Sequence, residues 1–222
     1  MSEKKPGAGK PREDVLEHLP HSKILEHRKG HIIYNADRPS TGIYLVISGL
    51  VKVSVFAEDG REILLDLYQQ EKVFSESALL NLPSRSEQAI ALKDTTLMAW
   101  STSEIEDIII RRPGLGVALL QLLAQRTIDL TRRIESLSVD STARRLARSL
   151  IQLSDNLGTP QADGSVVLVP LTHDLLSQYV GTSREVVTQY MNQFRKQGYL
   201  RYSRKGITLN RDLLLEWLRQ GS

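Results

Sequence analysis

Polar and charged side chains able to bind a ligand surface are concentrated in the stretch 172–192. Gly181 falls where two helices must turn sharply against each other, a place that needs positive φ. Ser177, one helical turn earlier, is small where the second helix must pass close. Leu176, Val180, Val187, Tyr190 and Phe194 are spaced to form a shared core. Helical geometry then puts Arg184, Glu185, Thr188, Gln189 and Asn192 together on the opposite face of the second helix. Such groups carry the donors and acceptors that read base edges in a major groove. Thr172 and His173 stand at the start of the first helix, Thr182 and Ser183 at the start of the second. Other readings of these residues stay open. Thr182 and Glu185 fit a capping box, His173 fits a capping turn or a phosphate contact, and the whole motif fits a helical hairpin with a polar outer face.

A hairpin is expected next, from residues 199–202 and 207–209 around Lys205 and Gly206. Its cations Arg201, Arg204 and Lys205 suit phosphate contacts, although a solvated turn has the same composition. Charge supports a polyanion partner here. Residues 172–211 hold 7 Lys and Arg against 2 Asp and Glu, whereas the whole 222-residue chain carries a net charge of only +3. Double-stranded DNA is the polyanion that the helix-turn-helix geometry suits.

Other elements must position this motif. Val51, Val53 and Val55 alternate with Lys52 and Ser54, and Ile63, Leu65 and Leu67 do the same, which is strand periodicity. Asp59 and Gly60 between these runs form a hairpin signal. The segment from Ile24 to about Trp100 therefore reads as an antiparallel sandwich or barrel. Beyond Pro113, Leu120, Leu123, Thr127, Leu130, Ile134 and Leu137 recur at alternating three- and four-residue steps. This is a heptad seam, expected to pair two copies of the chain as a homodimer. A hinge is expected over 138–141, a helix over 142–157, a strand over 166–169 and a last helix over 211–219.

Some chemistry is excluded. With no cysteine, disulfides, thiolate metal sites and iron–sulfur clusters are ruled out. No apolar run reaches the ~18 residues of a membrane span, and the Lys-, Gly- and Pro-rich start lacks the apolar core of a secretory signal, so a cytoplasmic protein without membrane attachment is expected. His21, His27 and His31 read as surface residues. No metal site and no catalytic set is expected: an enzyme built on such a barrel, such as a metal-dependent oxygenase, needs two histidines and a carboxylate at a spacing absent here.

The chain resembles the Crp–Fnr (catabolite activator-like) family of transcription regulators over nearly everything after its first twenty residues. The carrying motifs are YLVISG from Tyr44 to Gly49, DGRE from Asp59 to Glu62, FSE from Phe74 to Glu76 with Arg85 and Ser86, and GTSREV from Gly181 to Val186. The resemblance implies an α+β fold: a flexible tail over 1–20, a double-stranded β-helix (jelly-roll) sensor barrel over 21–112, a dimerisation helix over 113–138 and a winged helix-turn-helix over 139–222. It also implies a ligand cassette of Ser75, Glu76, Ser77, Arg85 and Ser86, joined by Leu130 and Thr131 from the dimerisation helix. In it a helix N-terminus, Arg85 and Ser86 hold a phosphate, and Glu76 accepts from a ribose hydroxyl; a pairing of Glu76 with Arg85 is the alternative. Cyclic AMP or cyclic GMP is the implied effector, with a non-nucleotide effector, or none, as the other reading. Two residues depart from the family's nucleotide binders: Ser75 stands where glycine is usual, and Leu130 replaces a hydroxyl residue. A palindromic DNA site and RNA polymerase are the implied partners. Gln189 stands where the catabolite activator branch has an arginine that helps read guanine.

Overall fold

A computed structural model describes residues 14–80, 87–203 and 206–220. The alternating segments form β1 (Lys23–His27), β2 (Ile32–Tyr34), β3 (Gly42–Ser48), β4 (Leu50–Phe56), β5 (Glu62–Gln69), β6 (Val73–Phe74), β7 (Glu87–Ala91) and β8 (Thr95–Ser101). They make two antiparallel four-stranded sheets, ordered β1-β8-β3-β6 and β2-β7-β4-β5. The β4–β5 hairpin turns where Asp59 and Gly60 indicated, with Gly60 at a φ of +81°. Inward-facing Val46, Val51, Val53, Phe74, Ala89 and Leu97 fill the space between the sheets, as the period of two requires.

A first short helix, α1 (Val15–His18), lies within the expected tail. Buried Val15 ties it to the cluster around Trp100 and Leu115, so residues 15–18 are packed structure and not a flexible arm. Helix α2 (Thr102–Arg111) opens with a capping box of Ser101 and Glu104. Pro113 then takes the first turn of α3 (Pro113–Val139), where a missing N–H costs nothing. Leu115, Ala118 and Leu119 bury one face of α3 on the barrel. Much of the seam stays uncovered by this body: Leu120 is 69%, Leu130 52%, Ile134 65% and Leu137 53% exposed.

The expected hinge is a two-residue joint. Asp140 ends α3, and Ser141 caps α4 (Thr142–Leu157). Asp140 accepts from Ser136 at 2.6 Å and pairs with Arg144 at 3.2 Å and Arg148 at 2.7 Å. Burial alone would raise its pKa; these partners outweigh burial and hold it below the ordinary carboxylate value. The remaining elements are β9 (Gly158–Pro160), β10 (Val166–Leu168), α5 (His173–Val180), α6 (Arg184–Lys196), β11 (Leu200–Ser203), β12 (Gly206–Leu209) and α7 (Arg211–Gln220), with sheet order β11-β12-β10-β9. Leu50, Leu64 and Leu67 of the barrel join the core of this unit, so the two cores are continuous. Among the described residues no helix is long and apolar enough to cross a membrane.

Candidate DNA interface and ligand cavity

Gly181 adopts a φ of +73° and ends α5, its N–H bonded to the Ser177 carbonyl at 2.9 Å. That left-handed residue sends α6 across α5. Leu176, Val180, Val187 and Phe194 are buried between them, together with Met191 and Tyr179, whereas Tyr190 packs at the edge. Thr172 caps α5, accepting from the Leu175 N–H. The cap of α6 is Ser183 and not Thr182, because the Ser183 hydroxyl accepts from Val186 N–H. Glu185 is therefore at the second helical position, one short of the third that a capping box with Ser183 would need. Its carboxyl is held below the ordinary value by its own backbone N–H and by Ser183.

Arg184, Glu185 and Gln189 are exposed, and Thr182, Thr188 and Asn192 half-buried, on the turn and outer face of α6. Arg201 is an exposed wing cation 3.4 Å from Asp163; Arg204 and Lys205 lie outside the described residues. His173 faces inward: its two ring nitrogens lie 2.8 Å from the hydroxyls of Thr188 and Tyr202. Tyr202 carried no signal in the sequence beyond its place in a strand.

A cavity of about 190 Å³ lies where barrel, α3 and DNA-binding unit meet. The barrel contributes Val53, Leu65, Asp66, Tyr68, Ser75, Glu76, Ser77 and Glu87; α3 contributes Arg126, Asp129, Leu130 and Arg133; Gln152 and Tyr179 close it from the DNA-binding side. Four of the expected ligand residues, Ser75, Glu76, Ser77 and Leu130, thus meet in one cavity. Arg85 and Ser86 lie outside the described residues. Thr131 does not line the cavity. It is exposed, and its hydroxyl donates to the Thr127 carbonyl one turn back at 2.9 Å.

Glu76 pairs with Arg126, a residue that spacing did not single out, and Arg126 also donates to the Val73 carbonyl. Ser75 keeps the backbone that glycine favours, at a φ of +73°, and its hydroxyl donates to Ser40 at 2.6 Å. A side chain there costs about 1–2 kcal/mol of strain. Asp66 accepts from the Leu67 N–H at 2.8 Å, and burial raises its pKa. Glu87 accepts from the Tyr34 hydroxyl at 2.6 Å.

Arg133 crosses the domain boundary. It donates to the carbonyls of Leu65 at 2.9 Å and Leu64 at 2.8 Å on β5, and of Tyr179 at 2.7 Å on α5. Its guanidinium also lies 4.4 Å from the Tyr179 ring centre. On the barrel rim, His27 and His31 are paired and not independent surface groups, their Nδ1 atoms 2.9 Å apart. Among the described residues no group of three or more His, Cys, Asp or Glu could hold a metal ion.

These features match known proteins over most of the chain. A cyclic nucleotide-binding domain family matches residues 24–112, and a Crp-like helix-turn-helix family matches residues 144–217. The chain is 33% identical to the transcriptional regulator SdrP of Thermus thermophilus, over 73% of this chain and 76% of that protein. It is 28% identical to a CRP-like cAMP-activated global transcriptional regulator of Mycobacterium tuberculosis, over 84% of this chain and 83% of that one. A solved Crp/Fnr-family transcriptional regulator from Thermus thermophilus superposes with a TM-score of 0.69 at 29% identity, covering 89% of this chain and 98% of that chain. A jelly-roll barrel, a long helix with an exposed apolar seam and a winged helix-turn-helix thus occur here in the order found in these relatives, and the chain belongs to the Crp–Fnr family of DNA-binding transcription regulators.

Proposed function

We propose that the chain works as a homodimer on a palindromic duplex site, with its DNA affinity set by a small effector in the cavity. The observation that carries this reading is the cavity's third wall. Tyr179 belongs to α5 of the DNA-binding unit, and Arg133 belongs to the helix that carries the seam. An effector that binds one arrangement of these walls better than another shifts the recognition helices by that difference in affinity. The exposed leucine and isoleucine stripe of α3 supports the dimer, because a second copy would cover it. Two recognition helices related by a two-fold axis suit half-sites about one helical turn apart, about 34 Å. In this reading the contacts of Thr172, Thr182, Ser183, Arg184, Glu185, Thr188, Gln189, Asn192, Arg201, Arg204 and Lys205 fall on one duplex, and the dimer acts on RNA polymerase in the cytoplasm.

Cyclic AMP and cyclic GMP are the first effectors to test, with Glu76 toward the ribose and Arg85 and Ser86 toward the phosphate. A nucleotide would have to take Glu76 from Arg126. A non-nucleotide effector is the second reading. It is favoured by the Cβ of Ser75 and by four carboxyls, Asp66, Glu76, Glu87 and Asp129, beside two arginines in the described lining. Calorimetry with each cyclic nucleotide decides: binding that is lost in Arg85→Ala supports the first reading, and no heat with either nucleotide supports the second.

A further inference from the structure

His173 opens α5, yet both of its ring nitrogens are engaged inside the DNA-binding unit. Nδ1 lies 2.8 Å from Thr188 Oγ1 on α6, and Nε2 lies 2.8 Å from Tyr202 Oη on β11. Thr188 donates its hydroxyl proton to the Arg184 carbonyl at 2.8 Å. Its oxygen then offers only lone pairs, so it accepts from Nδ1–H. A neutral imidazole with its proton on Nδ1 has a lone pair on Nε2, which accepts from the Tyr202 hydroxyl. The donors therefore run one way, from Tyr202 through His173 and Thr188 to the backbone of α6. Thr188 borders the face offered to DNA, and Tyr202 is 42% exposed on the wing.

We propose that His173 is a positioning residue for DNA recognition: neutral and protonated on Nδ1, it clasps the wing to the recognition helix so that both meet one duplex in a fixed relation. The proposal rests on the DNA-interface reading and goes beyond it, because His173 then acts through Thr188 and Tyr202 and not as a phosphate contact. The clasp is also titratable. Arg184 from α6 and Tyr202 from β11 face the ring, Arg195 of α6 acts on Tyr202, and Asp174 is the next residue on α5. Burial first, then the Arg184 charge, hold the His173 pKa below its ordinary value. Protonation would put a hydrogen on Nε2, deny Tyr202 its acceptor and set a second cation beside Arg184. The new charge would attract any DNA, so acid should raise random binding while lowering the ratio of specific to random affinity.

The test uses the full chain, a palindrome selected from a random library and a random duplex of equal length, between about pH 5.5 and 8 at fixed salt. His173→Leu should lose about tenfold in specific affinity at neutral pH, with little change on random DNA. His173→Gln keeps a donor and an acceptor without a titrating ring. It should restore most of the specific affinity and give a ratio that no longer falls in acid, as the parent's does. Tyr202→Phe should cost little further in the His173→Leu background, so that the double variant loses about as much as His173→Leu alone. Equal losses on both duplexes would make His173 a phosphate contact and overturn the proposal, as would strictly additive losses with Tyr202→Phe. A selective parent with an equally selective His173→Leu overturns the proposal alone, whereas a parent that selects no sequence overturns the interface reading with it.

Discussion

Arg133→Met separates the polar part of the domain junction from its packing. Methionine keeps most of the apolar stem, but it loses three hydrogen bonds of 2.7–2.9 Å and the contact with the Tyr179 ring. Hydrogen bonds from a charged donor contribute about 1.5–3 kcal/mol each and an arginine over a ring about 0.5–2. The low end of that sum is about 5 kcal/mol; the site is half-buried and water would replace part of it, so we expect a loss of about 3 kcal/mol. The chain supplies its own reporters, because its two tryptophans fall one on each side: Trp100 in β8, and Trp217 in α7 against Phe194. Urea unfolding would be followed in Trp100→Phe and Trp217→Phe backgrounds. With continuous cores, the two signals should coincide in the parent. In Arg133→Met the Trp217 signal should move to lower urea by roughly 1–2 M, taking an m-value of about 2 kcal/mol per M. Coincident and unshifted transitions in the variant would refute the role of Arg133. Separate transitions in the parent would refute the joint core.

If the proposed seam pairs two copies, Leu130→Asp would bury an unpaired charge between them at a cost of several kcal/mol, so sedimentation should show dissociation; a normal dimer would dismiss the seam. Arg184→Ala should cost about 1–3 kcal/mol on a selected palindrome and much less on random duplex in a gel-shift titration, since an arginine fork specifies guanine. Gln189 pairs one donor with one acceptor and suits adenine. Library selection with Gln189→Arg should therefore move the preference at the facing base to guanine, and identical selections would remove Gln189 from base reading. Asp140 is held below its unfolded pKa, so its contribution is present above about pH 4 and lost as pH falls through the folded value. Asp140→Asn should flatten the acid limb of a pH–stability curve read by thermal melting, and an unchanged limb would make the joint electrostatically inert.

Features that depend on neighbours along the chain could be read from the amino-acid order. Period two placed the strands of the barrel, the turn at Gly60 needed a residue free to take positive φ, and Gly181 marked the crossing of two helices for the same reason. Pro113 and the heptad steps marked a long helix whose apolar seam the body leaves uncovered. That Ser75, Glu76 and Ser77 share one cavity was legible through a family likeness. Local rules also failed locally: the cap of α6 slid from Thr182 to Ser183, because two adjacent hydroxyl residues satisfy the same rule and only backbone geometry chooses. Tertiary structure decided every partnership across the fold. Arg126 reaches Glu76, Arg133 bridges β5 and α5, and His173 joins Thr188 to Tyr202, at separations that no periodicity encodes. It also turned Thr131 back onto its own helix. A hydrogen bond is fixed by where two backbones bring donor and acceptor, and that placement comes from the packing of the whole core.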